Sequence, residues 1–84
     1  MTLHAKVAAE VRAEKARHQI TTSTLARRAK LSRTAMTARL NNKVNFGIDD
    51  LDAVAKTFGL TVWQLLANAE AAASSEPSEA EATK

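Results

Sequence analysis

Residues 20–42 read ITTSTLARRAKLSRTAMTARLNN, and the spacing within this stretch decides the fold. Thr21 has the side-chain oxygen that an N-cap needs, and Leu25, Ala26 and Ala29 follow at the spacing of one apolar helical stripe. A helix is therefore expected over residues 22–29. Leu31 marks a buried turn and Ser32 can cap a second start. Met36 and Leu40, four apart, turn that second helix's inner face onto the same core. Its outer face is then Thr34, Thr37, Ala38 and Asn41, with Arg33 at the open end. A helix that enters a DNA major groove needs small and hydrogen-bonding side chains of this kind, so the second helix reads as a DNA-recognition helix.

Outward from this stretch the chain reads as scaffolding. Thr2 can cap a first helix running to about His18, with Leu3, Val7, Ala8 and Val11 as its inward stripe. Glu10 and Glu14 are expected on the outside, pairing along the surface with Lys6, Lys15 or Arg17 for about 0.2–0.5 kcal/mol each. After the pair of helices, residues 41–47 form a loop rich in turn formers, with Val44 and Phe46 folding back as anchors. A fourth helix starts near Ile48, carries the stripe Leu51, Val54, Ala55 and Phe58, and ends at Gly59. Its first turn holds Asp49, Asp50 and Asp52. Carboxylates there are favoured by the helix dipole alone, so they are read as structural and not as a metal cluster. Thr61 caps a fifth helix with Val62, Leu65, Leu66 and Ala69 inward and Trp63 at the core edge, continuing through Ala71–Ala73 because nothing earlier than Ser74 breaks it. From Ser74 the chain turns to Ser, Glu, Ala and its single Pro, Pro77. Residues 74–84 are expected to be a disordered acidic tail, and residues 1–73 one domain.

Bulk properties narrow the class. Eighty-four residues allow one small domain. Of the 38 hydrophobic residues 18 are Ala, so the core must be compact and helical. The absence of Cys fits a reducing cytoplasm. No apolar run could span a bilayer and no signal-peptide pattern opens the chain, so a soluble, cytoplasmic protein without a membrane partner is expected. The net charge of +3 is unevenly spread: residues 1–48 carry +8 and residues 49–84 carry −5. The front half is the cationic face, as a partner with a phosphate backbone requires. His4 and His18 lie fourteen residues apart on one helix, about 21 Å by rise, so they cannot share a metal or a proton. No nucleophile, base and acid fall together either, and no enzyme activity, metal or cofactor is expected. Five helices without a strand pattern or internal repeat make an all-α domain.

The order of elements and the residues themselves resemble the Cro and phage-repressor (lambda-repressor-like) family of helix-turn-helix proteins, whose DNA-binding domain is a five-helix bundle. ITTSTLARRAKLSRTAM is similar to the family's pattern across its second and third helices: polar cap, Leu-Ala, a hydrophobic turn residue, then Ser-Arg and a hydrophobic residue. LDAVAKTFGLTVWQLL, over residues 51–66, is similar to its fourth-to-fifth helix signature. Two departures stand out. The turn position that is commonly Gly is Lys30, which asks the backbone for left-handed geometry at roughly 1 kcal/mol. Where the family often has an acid followed two residues later by Gly, this chain has Leu40 and Asn42, and Asn tolerates that geometry better than most residues.

The resemblance implies that helix three lies in the major groove of double-stranded DNA with its N-terminus toward the bases. Ser32 and Thr34 then reach base edges or the nearest phosphate, Thr37 meets a thymine methyl or a polar edge, and Ala38 permits close approach. Arg33 is the main specificity residue, able to extend past the helix end to a guanine. Thr22 and the amides opening helix two suit one phosphate, and Asn41, Asn42 and Lys43 another. Arg27 and Arg28 add long-range attraction or backbone contact. For Arg39 two roles stay open, a phosphate contact or an inward stem beside Met36. The function implied is a sequence-specific transcriptional regulator, a phage or prophage repressor or Cro-like protein, acting as a monomer or weak homodimer that can dimerise on DNA. The competing reading is an antitoxin or adaptor whose C-terminal segment binds a partner protein.

Overall fold

The computed structural model describes residues 2–75. They form five helices: α1 (Leu3–Arg17), α2 (Thr22–Arg28), α3 (Arg33–Leu40), α4 (Ile48–Thr57) and α5 (Val62–Ser75). Helix α5 runs two residues past Ala73, and the remainder of the expected tail, residues 76–84, lies outside the described residues.

Each boundary has a local chemical cause. Thr2, Thr21 and Ser32 accept from the amides of Ala5, Thr24 and Ala35 at 3.0–3.1 Å, which satisfies donors a helix start leaves orphaned. At α5 the cap is reciprocal: the Thr61 amide donates to Gln64 Oε1 at 2.8 Å while the Gln64 amide donates to Thr61 Oγ1 at 3.1 Å. At α4, where Gly47 has no side chain to offer, the Asp50 carboxylate reaches back to the Gly47 amide at 3.0 Å. The first four helices end on one device. A residue with positive φ follows each of them, Gln19, Lys30, Asn42 and Gly59. The next amide then returns five residues, from Ile20 to Lys15, Leu31 to Ala26, Lys43 to Ala38 and Leu60 to Ala55, at 2.8–3.2 Å. In three of the four the returning residue is apolar and packs on the core. The exception is Lys43.

The core lies where the five helices meet, with Val11, Leu25, Met36, Val54 and Leu65 fully buried, one from each helix. The broadest pairing is α1 with α5, while α2 and α3 pack on each other and are held from behind by α4 and α1.

Four expectations are corrected. Leu3 is 50% exposed, because at the first residue of α1 the inward stripe has run past the helices that cover it. Val44 is 44% exposed: its amide and that of Lys43 both bond the Ala38 carbonyl, the chain bends there, and Phe46 alone anchors the loop. Trp63 stands in the first turn of α5 at 74% exposure, well outside the core edge. Glu10 and Glu14 are buried. Arg17 reaches both, at 2.6 Å and 3.0 Å, and hydrogen bonding to Glu14 leads the interactions that raise the Arg17 pKa. The adjacent His18 lies 3.2 Å from Glu14 and sets its ring against Phe58 at a centroid distance of 5.0 Å.

Candidate nucleic-acid interface

Helices α2 and α3 hold the angle between them because Leu25, Ala26, Met36 and Leu40 are all buried on one side, and because the turn that joins them is locked at Lys30. There φ is 62°, and the Lys30 and Leu31 amides close onto Arg27 and Ala26 at 3.2 Å and 2.8 Å. The anticipated left-handed turn is therefore present.

With Met36 and Leu40 inward, α3 presents Ser32, Arg33 and Thr34 exposed at its N-terminal end and Thr37 and Ala38 half-exposed one turn later. Arg33 lies three residues before Met36, on the azimuth of the core, and is nonetheless exposed because it occupies the first turn. The Ser32 side chain caps the Ala35 amide, leaving the Arg33 and Thr34 amides without an acceptor among the described residues. At the opposite end Asn41, Asn42 and Lys43 are exposed, with Asn42 at φ 63°. On α2, Thr22 opens the helix half-exposed and Arg27 and Arg28 close it fully exposed. The structure thus brings the α3 residues and the 41–43 loop onto one element and its end, with Thr22 and the two arginines at opposite ends of the neighbouring helix.

Arg39 is committed within the fold, its side chain only 20% exposed. Its Nε donates to Asp50 Oδ2 at 3.0 Å and its Nη1 to the Ala35 carbonyl at 3.0 Å, tying α3 to the start of α4. Arg12, which sequence reasoning passed over, donates from Nη1 to the Leu40 carbonyl at the end of α3. These two arginines tie α3 to α4 and to α1. They join residues eleven and 28 positions apart, and no periodicity signals such pairs.

The distribution of partners sorts the cations. Lys6, Arg17, Arg39 and Lys56 are each within 3.1 Å of a carboxylate. Among the described residues Arg12, Lys15, Arg27, Arg28, Lys30, Arg33 and Lys43 have none, and the last five fall between residues 27 and 43. Five unneutralised cations within seventeen residues make α2, the turn, α3 and its following loop the strongly positive part of the molecule. Among the described residues no helix is long and apolar enough to cross a membrane.

The family model for the Cro/C1-type helix-turn-helix DNA-binding domain matches residues 13–67, from the last turns of α1 into α5. The chain belongs to that family. The match spans all of α2, α3 and α4, so membership of the Cro/C1 type covers the whole element pair described above. No curated protein sequence matches the chain. Among solved structures it is similar to two of the clp gene regulator ClgR from Corynebacterium glutamicum. One has a TM-score of 0.79 at 19% identity, covering 86% of this chain and 77% of that one. The other has a TM-score of 0.77 at 19% identity, covering 86% and 94%. At that identity the likeness is one of fold.

Proposed function

We propose that the protein is a sequence-specific regulator of transcription that binds double-stranded DNA, with α3 in the major groove and the flanking cations on the backbone. The observation that carries the reading is the set of five cations over residues 27–43 without carboxylate partners, grouped on and around an exposed helix whose outer side chains are Thr34, Thr37 and Ala38. Folding places these charges together without neutralising them, and a phosphate backbone supplies the missing counter-charge. Arg33 reads a base, with a guanidinium fork suited to the O6 and N7 of guanine. Ser32 and Thr34 reach base edges or the nearest phosphate, Thr37 meets a thymine methyl or a polar edge, and Ala38 lets the helix approach. Thr22, Arg27, Arg28, Asn41, Asn42 and Lys43 contact the backbone and set the register. Occupation of such a site, in the manner of a repressor or Cro-like protein, is the regulatory event.

The test is selection of bound duplexes from a random DNA pool by the full chain. A defined motif is expected, and an inverted repeat would show that two copies meet on DNA. Recovery of no motif, with duplex binding that ignores sequence, would contradict the proposal.

A further inference from the structure

A groove of about 420 Å3 runs between the α2–α3 turn and α4, lined by Arg28, Lys30, Asp52, Ala53, Lys56 and Thr57. Three of the six are cations and one is an acid. Asp52 is engaged by Lys56 at 3.0 Å, and Thr57 commits its hydroxyl hydrogen to the Ala53 carbonyl at 3.0 Å. Arg28 and Lys30 have no carboxylate partner among the described residues. The groove therefore carries two positive charges without a carboxylate partner beside the Lys56–Asp52 pair, which is itself exposed. Lys30 adds a second observation. It holds φ 62°, a geometry that Gly adopts freely and that a lysine adopts only under strain. The turn would form more readily without this side chain, so what the position gains from lysine is its charge, and strain retained at one position points to a use for it.

We infer that this groove is a phosphate-binding site, with the Arg28 fork taking two oxygens and Lys30 and Lys56 acting as point charges beside it. Such a group has two sources. One is the backbone of the duplex held by α3: Lys30 is three residues from Arg33, so their Cα atoms are no more than about 11 Å apart. The other is a free phosphorylated ligand. The first source rests on the DNA-binding reading above, and the second does not.

Two measurements on the full chain, each made on Lys30→Gly, Lys56→Gln and the parent, separate them. Inorganic pyrophosphate is titrated into isotope-labelled protein at ionic strength held constant with sodium chloride. A site for free phosphate gives saturating amide shifts at Lys30 and Thr57, and both variants weaken the binding several-fold. Affinity for a mixed-sequence duplex of about two helical turns is then followed against salt. A DNA phosphate in the groove gives each variant a salt slope smaller by about 0.9. Saturation without a slope change assigns the free ligand, a slope change without saturation assigns the backbone, and both together show that the groove takes either.

Linear, non-saturating shifts with unchanged slopes overturn the inference. If Lys43→Ala still lowers its slope in that event, the DNA interface stands without the groove. If the parent binds no duplex at all, the DNA reading fails and pyrophosphate alone decides the groove. Lys30→Gly also guards against a trivial loss of folding, because relief of the strained φ should raise Tm while phosphate binding falls. A lowered Tm would remove the strain argument.

Discussion

Arg39 shows how a single residue can mislead when read by composition alone. A basic residue on α3 invites a phosphate assignment, yet its guanidinium is committed to Asp50 and the Ala35 carbonyl and its side chain is only 20% exposed. Arg39→Ala should cost about 1–3 kcal/mol, since it leaves Asp50 half-buried with the Gly47 amide as its remaining partner. In a domain of this size that lowers Tm by roughly 4–8 °C per kcal/mol, while the salt dependence of DNA binding stays unchanged. Thermal melts and salt titrations of the one variant check both halves, and a lost unit of salt slope at unchanged Tm would restore the phosphate role. Arg17 behaves similarly. Because Glu10 and Glu14 are buried, Arg17→Ala strands Glu10 and leaves Glu14 with His18 alone, and the loss should exceed the few tenths of a kcal/mol of an ordinary surface pair. Exposure of the Arg17 side chain at 56% screens the pairing and holds the expected loss to about 1–2 kcal/mol, below the full penalty for breaking a buried pair. Denaturant unfolding measures it. The burial of these two acids was illegible in sequence because i,i+4 spacing on a charged helix reads the same whether or not a fifth helix later covers that face.

At the level of elements, the signals that were legible were local ones. The caps at Thr2, Thr21, Ser32 and Thr61, the stripe on α4 and the inward pair Met36 and Leu40 depend on neighbours within one or two turns, and each is where the spacing puts it. The left-handed turns at Lys30 and Asn42 were visible only against the resemblance, which expects a smaller or more tolerant residue. That at Gln19 carried no signal, since glutamine has no preference for that geometry. Trp63 and Val44 failed for the opposite reason: apolar character says what a side chain prefers, not whether another element arrives to cover it. The start of α3 combines a structural and a functional duty at Ser32, and two substitutions separate them. Ser32→Ala removes the cap and should cost about 1 kcal/mol. Ser32→Asp keeps the cap and suits the helix dipole, so Tm should hold, but it sets a negative charge against the proposed phosphate path and should weaken DNA binding. Equal DNA affinity for Ser32→Asp and the parent would move the interface away from the α3 N-terminus.

For the whole molecule, the division of charge seen along the chain becomes a division of partners in space. Carboxylates of α1, α4 and α5 pair with Lys6, Arg17, Arg39 and Lys56, while Arg27, Arg28, Lys30, Arg33 and Lys43 have no carboxylate partner among the described residues. The five helices close on a single core, and α5 meets α1 and α4. Trp63 stands exposed in the first turn of α5, and a single side chain buries too little surface for a stable dimer. Sedimentation without DNA should therefore show a monomer or a weakly associating species. A tight dimer at low micromolar concentration would contradict this, and Trp63→Ala would then test α5 as its interface.

In the proposed complex α3 reads bases through Arg33 while the surrounding cations hold the backbone. The most direct test is a titration of Arg33→Ala and Lys43→Ala against the selected duplex and a scrambled one at several salt concentrations. The account predicts that Arg33→Ala costs about 1–3 kcal/mol on the selected duplex and much less on the scrambled one, relaxing preference at one base position. Lys43→Ala should weaken both duplexes alike and lower the salt slope by about one. A uniform loss for Arg33→Ala on the two duplexes would contradict the account, reducing Arg33 to a backbone contact and passing base reading to Thr34 and Thr37.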